Sequence, residues 1–268
     1  GAPSEISVES PVGSNLSDGD QLDLNTTLVG STTTPRTVVI RNEGPSVLSL
    51  GVPRIGGMAA AEFSIDTTGM ASELEAGSST SFTLSFQPTI AGTRVATLRI
   101  DNNDADENPF DLALSGTGIT PEITVSRVGG GNLEDGVGSV DFGNVIPTGM
   151  QTLVFRLTND GTAPLNLNPS IARTGSNWFV ANTAGMATSL APGEDTTFSI
   201  TFSPPDSALS GPRNASFRLL NDDLNENDFD IAVSGVVIKP EIEVAGPDSN
   251  LIADAGSFDL GRVQTGET

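Results

Sequence analysis

Apolar and polar residues alternate along several short runs of this chain. Phe82-Thr83-Leu84-Ser85-Phe86, Phe198-Ser199-Ile200-Thr201-Phe202, Phe155-Arg156-Leu157 and Phe110-Asp111-Leu112-Ala113-Leu114 each put large side chains on one face. That pattern buries one side of a β-strand and leaves the other in water. Gly, Pro, Asn and Asp clusters punctuate the runs at a spacing of roughly 8–12 residues, the rhythm of a β-sandwich. No stretch reads as an amphipathic helix.

The pattern is duplicated. Ser4-Glu5-Ile6-Ser7-Val8, Pro121-Glu122-Ile123-Thr124-Val125 and Pro240-Glu241-Ile242-Glu243-Val244 recur at a spacing of roughly 118 residues. Asn42-Glu43-Gly44 matches Asn159-Asp160-Gly161, Gly69-Met70-Ala71 matches Gly185-Met186-Ala187, and the segment 102–111 matches 221–230. Repeat one is therefore expected over 1–119 and repeat two over 120–238, with 239–268 beginning a third copy. Within repeat two, strands are expected at 122–125, 140–145, 153–158, 165–167, 177–181, 196–202, 214–219 and 229–234. The segments 140–145 and 177–181 should be edge strands. The fold class that follows is all-β, with tandem Ig-like β-sandwich repeats of seven to eight strands. Repeat one should bury Ile6, Val8, Val38, Ile40, Leu48, Leu50, Phe63, Phe82, Leu84, Phe86, Leu98, Ile100, Phe110, Leu112 and Leu114.

Composition narrows the function. The 268 residues carry 34 acidic and 12 basic side chains, a net charge of −22. Such a surface repels phosphate backbones and anionic membranes, attracts divalent cations and stays soluble in salt-rich water, so nucleic acid is not an expected partner. Cysteine, histidine and tyrosine are absent, which removes disulfides, thiolate chemistry and the commonest general base. No apolar run is long enough to span a bilayer, so this segment is not expected to insert in a membrane. The sequence stops inside a recognisable pattern, as expected of a piece of a longer protein.

A series of landmarks carries a family resemblance. It runs Asp141-Phe142-Gly143-Asn144-Val145, Gly149, Thr158-Asn159-Asp160-Gly161, Pro164-Leu165, Ala191-Pro192-Gly193, Phe202-Ser203-Pro204, Gly211 and Ser234-Gly235. This resembles the abnormal-spindle/hydin type of Ig-like domain, akin to major sperm protein and PapD. The hairpin from Asn102 to Phe110 looks like that of bacterial choice-of-anchor D repeats. The resemblance implies a long exported bacterial protein, secreted or held at the cell surface. Leu24-Asn25 replaces the Phe142-Gly143 of the pattern, which puts the corresponding edge segment of repeat one in question.

The chemistry on offer is sparse. Asp104, Asp106 and Asn108, with Glu107 between them, alternate along one hairpin; Asp223, Asn225 and Asn227, with Glu226, repeat the spacing. Alternating oxygen side chains in a tight turn can converge on a hard cation such as Ca²⁺. Asn and Asp also cap tight turns with no ion present. Both readings stand, and in either the hairpin of repeat two should lie near the junction at 118–121. A second acidic loop, 15–20 and 132–136, is a weaker candidate of the same kind. Trp178, the single tryptophan, occupies the position of Glu62 and should lie outside the shared core, either as a partly covered surface residue or as a stacking face for a sugar or protein partner. No nucleophile–base set, phosphate loop or dinucleotide fingerprint is present, and the acids recur in both copies, which argues for architecture over an active site. The expectation is a non-catalytic spacer of an extracellular or cell-surface bacterial protein, touching neighbouring repeats. The alternative is an adhesive module for a cell-surface protein or glycan, with Ca²⁺ the one candidate cofactor.

Overall fold

The computed structural model describes residues 3–240, 242, 244–245 and 251–252. Repeat one contributes β1 (Ile6–Glu9), β2 (Asn15–Leu16), β3 (Gln21–Leu28), β4 (Arg36–Asn42), β5 (Leu48–Ser49), β6 (Arg54–Gly56), β7 (Phe63–Asp66), β8 (Glu73–Leu74), β9 (Ser79–Phe86), β10 (Gly92–Ile100) and β11 (Phe110–Ile119). Repeat two contributes β12 (Ile123–Arg127), β13 (Val140–Val145), β14 (Gln151–Asn159), β15 (Leu165–Asn166), β16 (Ala172–Gly175), β17 (Phe179–Asn182), β18 (Ser189–Leu190), β19 (Asp195–Phe202), β20 (Gly211–Leu220) and β21 (Asp228–Val237). Among the described residues the one helical element is a 3-10 turn at Ala60–Glu62. The expectation of a third copy over 239–268 falls mostly outside the described residues; within it, β22 (Val244–Ala245) pairs with β23 (Leu251–Ile252).

Each repeat is a two-sheet sandwich. In repeat one the sheets run β2-β1-β4-β9-β7 and β3-β11-β10-β6; in repeat two they run β12-β14-β19-β17 and β13-β21-β20-β16. Strands β13 and β17 are edges, as expected. The two main sheets of repeat two hold eight strands and those of repeat one nine, because Asn15 and Leu16 pair with β1; β5 with β8 and β15 with β18 form separate two-stranded sheets. The same loop in repeat two makes a single bridge, Ser126 to Asn132. Strands β6 and β16 were not legible in the sequence: β16 reads Ala-Arg-Thr-Gly and is exposed at every position, so no alternation marks it.

The alternation determines what is buried. All fifteen core positions expected in repeat one lie in its buried cluster. Repeat two has its own cluster, including Val125, Phe155, Phe179, Phe198, Phe202, Phe217 and Phe229. Burying one such side chain contributes about 1.5–3 kcal/mol, so each cluster is the main source of its repeat's stability. Phe179 stacks on Phe202 at 4.4 Å, and Phe142 meets Phe179 edge-on at 5.3 Å. Repeat one fills the Phe142 position with the buried Leu24.

The questioned edge segment of repeat one forms after all. Strand β3 runs parallel to β11, and its register slips between Ser115 and Thr117; β13 runs parallel to β21 with a slip between Asp141 and Asn144. Both bulges need one left-handed residue. Gly143 supplies it at φ 71° and Asn25 at φ 67°. Asn tolerates that region better than most residues with a side chain. The preceding acid steadies each bend, Asp23 accepting from Asn25 N–H at 3.1 Å and Asp141 from Gly143 N–H at 2.8 Å.

Across from each bulge a glycine lies flat against an aromatic ring. A Cβ on Gly116 would stand 2.5 Å from the Phe86 ring, and one on Gly235 would stand 2.7 Å from Phe202. Gly235→Ala is expected to cost about 1–3 kcal/mol by forcing the ring aside. Urea unfolding followed by the fluorescence of Trp178, which reports on repeat two alone, checks it; an unchanged midpoint would show that the ring gives way freely.

Candidate functional site

The acidic hairpins lie at the end of each sandwich where the chain enters. Each hairpin is built around an asparagine that sequence reasoning did not single out as a site residue. Asn102 Oδ1 accepts from Asp104 N–H at 2.7 Å, and its Nδ2 donates to the Glu107 carbonyl at 2.9 Å. Asn221 does the same with Asp223 N–H at 2.8 Å and the Glu226 carbonyl at 2.7 Å. These bonds turn Asp104 and Asp223 inward, where both are almost fully buried. Asp104 Oδ2 then accepts from Ile6 N–H, and Asp223 Oδ2 from Ile123 N–H, each at 2.8 Å. The hairpin is thereby tied to the first strand of its own repeat, and in repeat two it lies at the junction, as expected.

The other candidates divide between turn and cluster. Asp106 N–H donates to Asp104 Oδ1 at 3.4 Å, Asn225 N–H donates to Asp223 Oδ1 at 3.2 Å, and Asn108 Oδ1 accepts from Asn102 N–H at 3.3 Å. The Asn227 carbonyl accepts from Asn221 N–H at 2.9 Å. In two triads, Glu5–Asp104–Asp106 and Glu122–Asp223–Glu226, one oxygen of each carboxylate lies within 4.8 Å of the others. Asn225 replaces Asp106 at the matching position, so repeat two draws on Glu226 for its third acid. Three such oxygens are fewer than the roughly six to eight that Ca²⁺ takes, so an ion here would also need backbone or water oxygens. The sequence reading missed Glu5 and Glu122, because their contacts cross about 100 residues of chain and arise only from the sheet topology.

Electrostatics mark the same places. Burial pushes the Glu122 carboxyl above its ordinary 4.5, and the charges of Asp223 and Asp160 push further. Glu226 is raised by burial and then by Asp223, Glu122 and Asp135. Glu107 is raised by burial and then by Asp104, Glu5, Asp106 and Asp18. The second acidic loop thus lies close enough to act on the hairpin. Its own acids are used for support: Asp18 Oδ1 accepts from Asp111 N–H, and Asp135 Oδ1 from Asp230 N–H, both at 2.6 Å.

Trp178 belongs to a different feature. In repeat one, Glu62 pairs with Arg94 at 2.7 Å and takes a hydrogen bond from the Thr89 hydroxyl, joining the turn before β7 to β10 of the opposite sheet. Burial would raise the Glu62 carboxyl, but the hydrogen bonds from Thr89 and Arg94 outweigh it and hold it below its usual range. In repeat two the same positions hold Trp178 and Arg213, with the guanidinium 4.5 Å from the ring centroid. Trp178 is half-buried and packs on the core of repeat two. An ion pair and a cation–π pair therefore fill one inter-sheet clasp.

No family model and no curated protein matches the chain. Weak likenesses occur among solved structures. A protein of unknown function from Porphyromonas gingivalis W83 is 15% identical over 85% of this chain and 99% of its own length, with a TM-score of 0.33. The ASH/PapD-like domain 7 of human CEP192 is 16% identical over 44% of this chain and 87% of its own, with a TM-score of 0.32. The Salmonella enterica SafA pilin in complex with the SafB chaperone is 10% identical over 85% of this chain and 95% of its own, with a TM-score of 0.29. Likenesses this low carry no argument; the sheet topology itself establishes an all-β sandwich.

The raised carboxyls fix the sign of a pH effect. Glu122 and Glu226 bind protons more tightly folded than unfolded, so their charged forms oppose folding near neutrality. Glu122→Gln with Glu226→Gln should raise the midpoint of repeat two at pH 7. The gain should shrink as pH falls through their raised folded values, and it should shrink in high salt. Thermal melts across that range check it; a pH-independent gain would mean the glutamines act by packing. The clasp makes a second prediction. Arg94→Ala, which leaves the buried Glu62 charge without its partner, should destabilise repeat one more than Arg213→Ala destabilises repeat two. Equal losses in the two melts would show that the pairs are not alternatives.

Proposed function

We propose that this chain is a non-catalytic spacer segment of a secreted or cell-surface bacterial protein of the choice-of-anchor D type, holding other modules away from their anchor. The observation that carries this reading is the joint between repeats. Ile119 still accepts from Val29 N–H at 3.0 Å inside repeat one, while Thr120 already accepts from Thr162 N–H at 2.8 Å and Ala163 N–H at 2.9 Å inside repeat two. No residue is left over between them. Gly161 lies so close under the linker that a Cβ there would stand 2.4 Å from the Thr120 carbonyl. A joint of one peptide bond gives far less freedom than a flexible linker of even a few residues.

The side-chain chemistry supports the same reading. The two buried acids of the hairpins, Asp104 and Asp223, are spent on turns and strand ties. The depression lined by Ala172, Thr174, Ser216, Arg218 and Asp230, of about 400 Å³, carries an arginine already paired with Asp228 and Asp230. Partners in this reading are the neighbouring repeats of the same chain. The adhesive alternative, Ca²⁺-dependent binding of a cell-surface protein or glycan, draws on the two acidic triads.

Small-angle scattering tests the spacer. The wild-type profile should fit a narrow distribution of end-to-end lengths, and Thr162→Pro should broaden it. Repeat one carries Pro45 at that position, so the turn accepts proline while losing one of the two N–H groups that hold the Thr120 carbonyl and the Thr162 hydroxyl that accepts from Thr120 N–H at 3.2 Å. A wild-type profile that demands a broad ensemble would refute a stiff joint. Melts in excess Ca²⁺ against chelator address the alternative. The spacer reading expects no more than the shift given by Na⁺ at matched ionic strength. A rise of several degrees, lost in Glu122→Gln with Glu226→Gln, would favour the calcium-dependent one, since a ligand of the native state raises its midpoint by mass action.

A further inference from the structure

The way the chain runs through each sandwich sets how it meets a pull. In repeat one the chain enters at Ile6, next to the hairpin that precedes β11, because Ile6 N–H bonds Asp104. It leaves at Ile119, the far end of β11. Ten residues of extended strand at roughly 3.3 Å each put about 30 Å between entry and exit. Strand β3 lies parallel to β11, pairing from Gln21 with Ala113 to Leu28 with Ile119.

A pull that separates entry from exit loads β1 first and, once β1 and β2 release, draws the start of β3 one way and the end of β11 the other. The two strands must slide along their common axis, so every bond of the ladder is strained together. Strand β1 meets the same geometry against β4, from Ile6 with Asn42 to Glu9 with Val39. Repeat two copies both arrangements, with β13 parallel to β21 and β12 antiparallel to β14. A pull at one shared end of two strands would break the bonds singly instead.

A cross-tie shortens the path further. Asp104 and Asp223 join the entering strand to the hairpin that runs directly into the leaving strand. The Ser4 hydroxyl adds a bond to the Asn103 carbonyl at 3.3 Å. Load arriving at Ile6 can pass through Asp104 into β11 and out along its covalent chain.

We infer that each repeat is a tension-bearing element, with its parallel terminal ladder loaded in shear and Asp104 and Asp223 passing load from the entering to the leaving strand. This rests on the reading of the chain as a spacer between other modules. Scattering tests stiffness without load and the following experiment tests strength under load, so either can fail alone.

The chain has no cysteine, so introduced pairs define the pulling axis in single-molecule force spectroscopy. Pro3→Cys with Glu122→Cys loads repeat one along its length. Ser31→Cys with Glu122→Cys pulls β3 and β11 apart from the end they share. The lengthwise pair is expected to rupture at a force several times that of the peeling pair. Adding Asp104→Ala should lower the lengthwise force, and Asp104→Asn, which keeps an acceptor for Ile6 N–H, should largely restore it. Forced unfolding reports the unfolding barrier along the pulled direction, so a general loss of stability would lower both axes alike. Equal forces along the two axes, or a lengthwise force indifferent to Asp104→Ala, would overturn the inference.

Discussion

Each repeat depends on satisfying the backbone of its entering strand inside the sandwich. A buried N–H or carbonyl without a partner costs about 1–3 kcal/mol, so an entering chain must find partners there. Two side chains per repeat supply them. Asn159 donates to the Ala163 and Leu190 carbonyls at 2.8 and 2.9 Å and accepts from Gly161 N–H at 3.0 Å and Glu122 N–H at 3.4 Å. Asn42 repeats the arrangement with Ser46, Leu74, Gly44 and Glu5. Asp104 and Asp223 complete the set from the opposite sheet. The crowding of acids at this end follows from these ties, since Glu122 and Glu226 flank an aspartate that the fold places there.

Duplication shows which features are physical requirements. The left-handed residue at the bulge is Asn25 in one copy and Gly143 in the other. The side chain before it is Leu24 or Phe142, both buried. The inter-sheet clasp is Glu62 with Arg94 or Trp178 with Arg213. In each case the conformation or the contact persists while the residue changes. Trp178 is thereby accounted for by the sandwich before any partner is invoked.

In the proposed spacer, the joint and the interior ladders serve one mechanical purpose. Strand β11 ends one repeat, and the next begins within a single peptide bond. The carboxylate of Asp223 then ties that beginning to the last hairpin of repeat two. Force and orientation can pass from repeat to repeat through backbone and a few short bonds. The acidic surface adds solubility and self-repulsion, which favour an extended array at low salt.

The sequence alone determined the all-β class and the whole expected core of repeat one, and from it the repeat boundaries were proposed at 119 and 238. It could do so because period-two alternation and turn residues are local signals, and a second copy repeats them. It also placed the acidic hairpin of repeat two near the junction. It left strand β16 unmarked, because an exposed edge needs no apolar face. Whether Asp223 serves a turn or an ion was left open, and its tie to the first strand was not foreseen, because its partner Ile123 N–H is a backbone group with no sequence signature. Glu5 and Glu122 joined the acidic ends only when the first strand and the last hairpin of each repeat met in space. Those choices belonged to the tertiary structure, which alone decides which distant backbone groups an inward-facing carboxylate must satisfy.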